Sequence, residues 1–191
     1  MKQLILAANS PRRQEMFHQL KIPFTVRTGN VDETVVTTTN PAEKVKQLAR
    51  LKGNSVSLAE NEIVLAADTV VAFEGKIFGK PKSKQEAYDM MSTLSGQTHE
   101  VYTGVFIRSQ ENEVTFVERT SVTWWPLSET IIQWYINSDE PYDKAGGYGI
   151  QNLGAILVKK INGDYFNVVG LPISRVVREL TKLGLNIFHK P

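Results

Sequence analysis

The chain has 191 residues, 22 Lys and Arg against 20 Asp and Glu, and a formal net charge of +2. Such a length buries a sizeable core in one domain or two closely joined lobes, and so even a charge balance argues against nucleic acid as the main partner. With no cysteine there are no disulfides and no thiol chemistry, and His18, His99 and His189 lack metal-ligand spacing, so any metal must be held by carboxylates.

Leu4 to Ala8 is too short an apolar run for a signal peptide, and no stretch approaches membrane-spanning length. A cytoplasmic protein with no membrane partner is the expectation. The same run reads as a buried strand that breaks into a helix at Ser10-Pro11, with Ser10 as N-cap, Pro11 at the first helical position and Met16, Phe17 and Leu20 as the apolar stripe. A capping box needs Glu or Gln at position 13; instead Arg12 and Arg13 add two cations to a helix end that already carries about +0.5 charge. Backbone N–H groups, the dipole and two guanidinium forks then converge on one point, which is how a phosphate site is built. The plainer alternative is a solvated helix start.

Pro23 to Val26 reads as a second strand and Asn30 to Thr34 as a polar loop. Asn40-Pro41-Ala42-Glu43 opens a helix whose core face is Val45, Leu48, Ala49 and Val56. Lys52 falls in the middle of that face, either with its stem on the core and its ammonium in water or as a cation aimed into a cleft. Ile63 to Phe73 is apolar on both alternating faces, as a central strand covered on both sides requires, yet Asp68 interrupts it. A lone buried carboxylate costs several kcal/mol, so Asp68 is either paired or working. A turn at Glu74-Gly75-Lys76 returns Ile77 and Phe78 beside the strand, and the capping box Ser83 to Glu86 starts a helix through Leu94.

His99 to Arg108 and Val114 to Trp125 read as a long antiparallel pair. Ser128 caps a helix with a broad apolar surface of Ile131, Ile132, Trp134, Tyr135 and Ile136, chiefly core packing, although the part around Trp134 and Tyr135 would permit a homodimer. Asp139 to Gln151 is a glycine-punctuated loop. Ala155 to Ile161 is expected as a strand, Tyr165 to Val169 as its return after the Asn162-Gly163-Asp164 turn, and Gly170-Leu171-Pro172 as the start of a last helix. Crossovers mixed with hairpins argue an α/β fold, a mixed sheet with flanking helices.

The residues that break local pattern are Arg12, Arg13, Glu33, Lys52, Asp68, Lys80, Asp143, Lys144 and Gln151. Cations set among carboxylates suit a polyphosphate with Mg²⁺ or Mn²⁺, the cations neutralising phosphate and the carboxylates holding the metal by oxygen. No Walker A sequence and no dinucleotide glycine fingerprint is present, so phosphate binding must be of another design.

Leu-Ala-x-x-Ser-Pro-Arg-Arg at 6–13, Asp32-Glu33, Ala67-Asp68-Thr69, Gly79-Lys80-Pro81, Leu94-Ser95-Gly96 before His99, Asp143-Lys144-Ala145-Gly146, Tyr148-Gly149-Ile150-Gln151 and Gly170-Leu171-Pro172 follow one another in order. This set resembles the Maf family of nucleoside triphosphate pyrophosphatases, from residue 4 to about 180. The resemblance implies one Maf-like domain over 1–191. Its fold would be that of inosine triphosphate pyrophosphatases, an elongated mixed sheet with flanking helices and a deep nucleotide cleft between two lobes. It implies hydrolysis of a nucleoside triphosphate between the α- and β-phosphates with a divalent metal cation, and Asp68 as proton acceptor. Asp68-Thr69 with the later Tyr-Gly-Ile-Gln resembles the branch acting on dTTP and UTP, so that Arg12, Thr69 and Gln151 would influence base choice. The family is also linked with septum formation. The chain departs from the pattern at Ala8, where Ser is usual, Gly147, where Ala is common, and Asn152, where Gly is common.

Read from the residues alone, Asp68 holds a metal or orients the attacking water, with Lys52 or Lys80 nearby, and Glu33 is the second oxygen ligand. Ser10, Arg12, Arg13, Lys52, Lys80 and Lys144 face phosphate, and Gln151 matches the O4 acceptor and N3–H donor of uracil or thymine. The competing readings are the same hydrolysis of a modified nucleotide and a non-catalytic nucleotide-binding regulator of cell division.

Overall fold

In the computed structural model, which describes residues 2–188, the first apolar run forms β1 (Gln3–Leu6) and breaks at Ser10-Pro11 into α1 (Pro11–Gln19). His189 lies outside the described residues. β2 (Phe24–Val26) and β3 (Glu62–Phe73) both run parallel to β1, with Leu4 opposite Phe24 on one side and Ile63 on the other. The crossover into β3 is α2 (Pro41–Asn54), capped by the Asn40 side chain, which accepts from the Glu43 N–H at 3.0 Å. Val45, Leu48 and Ala49 are buried as its spacing predicts; Val56 is buried too, although it lies beyond the helix end.

β3 turns at Glu74-Gly75, both at positive φ, into the antiparallel β4 (Lys76–Phe78). The Ser83 hydroxyl caps α3 (Lys84–Leu94) through the Glu86 N–H, while the Glu86 carboxylate reaches past Ser83 to accept from the Lys82 N–H at 2.7 Å. β5 (Thr98–Arg108) and β6 (Glu113–Trp124) are joined by a turn in which the Ser109 N–H donates to the Asn112 carbonyl, and Ser128 caps α4 (Glu129–Ile136). The seven-stranded sheet has the order β2-β1-β3-β5-β6-β7, where β7 is Val158–Asn162, with β4 added on β3. β3 is thus interior, as its apolar faces require.

Two expectations in the last third of the chain are corrected. Instead of a strand from Ala155, a 3₁₀ turn covers Asn152–Leu157, and the strand, β7 (Val158–Asn162), begins only where it can pair antiparallel with β6. Tyr165–Val169 is a helix, α5, not a returning strand. Asp164 Oδ1 accepts from the Phe166 N–H at 2.8 Å and starts the turn, and the buried Asn167 amide donates to the Val101 carbonyl and to Thr120 Oγ1. The segment therefore docks on the sheet through a side chain, where a strand would use its backbone. The last helix, α6 (Ile173–Lys182), follows Gly170-Leu171-Pro172 as expected.

The chain divides into two compact units. The first is Met1–Asp68, Thr103–Glu118 and Gly170–Pro191; the second is Thr69–Tyr102 and Arg119–Val169. The first unit buries Leu4, Leu6, Phe17, Val45, Leu48, Val105, Val176 and Leu180, and Ile5, Ala7, Val56, Val64 and Ala66 form one packed cluster within it. Gly104 on β5 meets α2 so closely that a Cβ there would lie 2.3 Å from the Val45 carbonyl oxygen. At the start of β3, Arg27 forks onto Glu62 with two bonds of 2.7 Å, which together with the Ala59 N–H pulls the Glu62 carboxyl down to about 2. The second unit is centred on Met91, Leu94, Trp124, Tyr135 and Leu157. Its α4 corrects the expected surface for a homodimer: Trp134 is 46% exposed, but Tyr135 is fully buried with Ile132 and Ile136. Adjacent positions on a helix point about 100° apart, so one of the two faces water and the other the core.

Candidate functional site

Within the first unit, β1 delivers the chain to α1, and Ser10 has the extended N-cap backbone that its type predicts. Its side chain makes no capping bond. The Ser10 hydroxyl thus leaves the first-turn N–H groups alone, the first turn contains no acidic residue, and Arg12 and Arg13 are its charged members. Both arginines are half-buried. Arg13 Nε donates to the Gly170 carbonyl at 2.8 Å, which ties the start of α1 to the segment leading into α6. Burial pushes the Arg13 guanidinium down to about 10; Asp68 opposes that shift and Arg12 adds to it, and the group stays cationic at neutral pH.

The same unit assembles a cation between two carboxylates. Asp68 lies at the sixth residue after Glu62 in β3, where the buried pattern gives way to half-buried positions. Lys52, in the last turn of α2, donates to Asp68 Oδ1, and its ammonium also lies 2.9 Å from Glu33 Oε1. The environments differ: the Lys52 and Asp68 side chains are mostly buried, whereas Glu33 is 51% exposed. Glu33 opens a 3₁₀ turn, Glu33–Val35, fixed by Asp32, whose Oδ1 accepts from both the N–H and the hydroxyl of Thr34. The out-of-pattern lysine and the out-of-pattern aspartate are partners, which accounts for both anomalies in the sequence. Glu33 and Asp68 each give a carboxylate oxygen to the Lys52 ammonium, and these are the two oxygens this group could offer a hard cation. Among the described residues no group of three or more His, Cys, Asp or Glu is built to hold a metal, so the remaining oxygens would have to come from phosphate and water, as is usual for Mg²⁺.

In the second unit, Thr69 follows Asp68 in β3 and is half-buried. Lys80 is exposed just after β4, on a segment fastened where the Gly146 N–H donates to the Gly79 carbonyl. Lys144 is mostly buried and held within its own loop, donating to the Glu140 carbonyl at 2.8 Å and to Asp143 at 2.6 Å. Gln151 is half-buried at the start of the 152–157 turn, and its amide makes no capping bond there. The residues expected at the site therefore fall in two groups, Ser10, Arg12, Arg13, Glu33, Lys52 and Asp68 in the first unit, and Thr69, Lys80, Lys144 and Gln151 in the second.

One constellation of the second unit has only a faint signature in the sequence. His99, Trp124 and Tyr148 meet edge to face, with centroids 4.7–5.5 Å apart, and His99 Nε2 is hydrogen-bonded to the Tyr148 hydroxyl at 2.6 Å. A histidine placed in an apolar strand is the signal that could have found it.

The model of the Maf-like protein family matches residues 3–183. The chain is 53% identical over 187 residues to a dTTP/UTP pyrophosphatase of Halalkalibacterium halodurans, covering 97% of this chain and 98% of that one. It is 50% identical over 192 residues to a dTTP/UTP pyrophosphatase of Bacillus cereus, covering 99% and 100%. Among solved structures, the Staphylococcus aureus Ham1 protein superposes with a TM-score of 0.46 at 16% identity, covering 64% of this chain and 72% of that one.

Proposed function

This chain belongs to the Maf-like protein family, and on that premise we propose that it hydrolyses dTTP and UTP to the nucleoside monophosphate and pyrophosphate. The observation that carries the reading is the Glu33–Lys52–Asp68 group, a mostly buried carboxylate held by a lysine beside a second, solvent-reaching carboxylate. In this reading Asp68 accepts a proton from water as the water oxygen bonds to the α-phosphorus. The bond from that phosphorus to the bridging oxygen breaks, and pyrophosphate leaves with the electron pair. Lys52 orients the Asp68 carboxylate by the bond it already makes.

Ser10, Arg12, Arg13, Lys80 and Lys144 would face the phosphates, Lys144 exchanging Asp143 for a phosphate oxygen. Arg13 is suited to this because its Nε is anchored on Gly170, which fixes the plane of its guanidinium. Thr69 and Gln151 would read the base, since one amide both donates and accepts. Glu33 and Asp68 would hold a divalent cation, Mg²⁺ or Mn²⁺, which when bound supplies positive charge to the triphosphate oxygens.

The test is pyrophosphate release from dTTP, UTP, CTP, GTP, ATP and 7-methyl-GTP, with Mg²⁺ or Mn²⁺ and with chelator, for the wild type and Asp68→Asn. The expected result is turnover of dTTP and UTP that chelator abolishes and that Asp68→Asn lowers by about 10²–10⁴-fold. Nucleotide binding without turnover of any substrate would refute the enzyme reading and leave a nucleotide-binding regulator.

A further inference from the structure

We propose that His99 is a positioning residue for base selection, acting through the Tyr148 hydroxyl on the short segment that carries Gln151. The inference rests on the reading of Gln151 given above. Tyr148 and Gln151 are three residues apart, so the backbone between them can be held only from a few points. His99 supplies one: its Nε2 meets the Tyr148 hydroxyl at 2.6 Å, with His99 1% and Tyr148 5% exposed.

Three rings in mutual edge-to-face contact leave the phenol no room to swing. His99 stands against Trp124 at 89° and against Tyr148 at 85°, and Trp124 stands against Tyr148 at 86°. The Tyr148 hydroxyl meets His99 Nε2 and is also approached by the Trp124 side chain, and because leaving a buried hydroxyl without its hydrogen bond is costly, the His99 bond favours one placement of Tyr148. His99 Nδ1 is buried with no hydrogen-bond partner, so the ring's polar contact is with Tyr148 alone. Burial also keeps the ring neutral at pH 7, so it acts as a hydrogen-bonding peg and not as a charge.

The next residue is held by contact. A Cβ on Gly154 would lie 1.8 Å from the Gly149 carbonyl oxygen, and one on Gly149 would lie 2.9 Å from the Lys144 side chain. The backbone from 148 to 151 is therefore pinned by the His99 bond at one end and wedged at Gly149 next to it. Gln151 follows with its amide uncommitted to the turn it opens. An amide that flips freely cannot tell uracil from cytosine, whose donor and acceptor are exchanged; a fixed backbone holds the amide in one place, where the groups around it can favour one orientation.

Tyr148→Phe keeps the ring and removes the hydroxyl; His99→Phe removes the nitrogen; His99→Gln keeps a nitrogen donor at nearly the Nε2 position. Two readouts serve, the ratio of kcat/KM for UTP to that for CTP, and amide hydrogen exchange over 144–154. Tyr148→Phe and His99→Phe should each lower the ratio about tenfold, the weight of one hydrogen bond, through KM and not kcat, and the double variant no further. Both should exchange faster over 148–151, with His99→Gln restored toward wild type. Variants that melt at lower temperature with both the UTP-to-CTP ratio and the exchange unchanged would overturn the proposal and leave a purely structural histidine. Gln151→Ala separates the two readings. If it leaves the wild-type ratio intact while the His99 and Tyr148 variants loosen 148–151, the reading of Gln151 fails and the bracing stands. Unchanged exchange over 148–151 overturns the His99 role whatever the activity.

Discussion

His99 should make the protein acid-sensitive in a calculable way. In the folded protein its ring is pushed from 6.5 down to about 4 by burial. Between those two values the unfolded chain binds more protons than the folded one, so stability is present above 6.5 and is lost as pH falls toward 4. A displacement of this size removes about 2–3 kcal/mol on going from about pH 7.5 to about pH 4.5. The substitution that isolates it is His99→Gln, which cannot take up a proton and so has no such slope. Urea unfolding of wild type and variant at both pH values gives four free energies. The variant loses packing at either pH, but its deficit should shrink by about 2–3 kcal/mol at the lower one. Glu62 and the other carboxylates titrate in both proteins and cancel in the difference. An equal deficit at the two pH values would refute the reasoning, because it would mean that the folded ring protonates as easily as the unfolded one.

Lys52→Met should lower kcat/KM for UTP by about 10²–10³-fold, since it removes the group that orients Asp68, and a loss under threefold would exclude that role. Glu62→Gln should cost about 1–2 kcal/mol at neutral pH, discounted because Arg27 is partly exposed, and the deficit should vanish as pH falls from about 4.5 through about 2, where wild-type Glu62 also protonates. Chemical denaturation across that range checks it. Gly104→Ala should destabilise by about 1–3 kcal/mol, because the new methyl meets a carbonyl oxygen of α2 that cannot swing aside; an unchanged melting temperature would show that the helix yields.

What the sequence revealed follows from how local each determinant is. Asn40, Ser83 and Ser128 cap their helices with partners three residues away, so both the caps and the helices they start could be read directly. Lys52 and Asp68 were conspicuous as charges in apolar patterns, and their pairing is the physical reason both are tolerated. Ser10 shows the limit of a type-based rule: the backbone is that of an N-cap, but the side-chain bond is absent. Tyr165–Val169 is rich in aromatic and β-branched residues as a strand would be, and it is the Asp164 cap on the Phe166 N–H, together with the bonds of Asn167 to Val101 and Thr120, 66 and 47 residues away, that place it as a helix. The His99–Tyr148 contact spans 49 residues, and beyond the oddity of a histidine in an apolar strand no spacing announces it. Trp134 and Tyr135 looked alike in the sequence and differ only in which side of α4 the core occupies.

The bond from Arg13 to the Gly170 carbonyl joins positions 157 residues apart, in a unit whose three segments are separated by the two segments of the other. On a ribosome adding about 5–20 residues per second, the arginine emerges about 8–30 s before its anchor. Until then the bond that fixes its Nε is missing, and β1, which can pair early with β2, must wait for β3 to gain its second parallel neighbour. A nascent chain stopped short of Gly170 would already carry Arg12, Arg13, Glu33, Lys52 and Asp68 and still lack the carbonyl that anchors Arg13. If Arg13 holds phosphate as proposed above, competence for phosphate binding is coupled to the near-completion of synthesis.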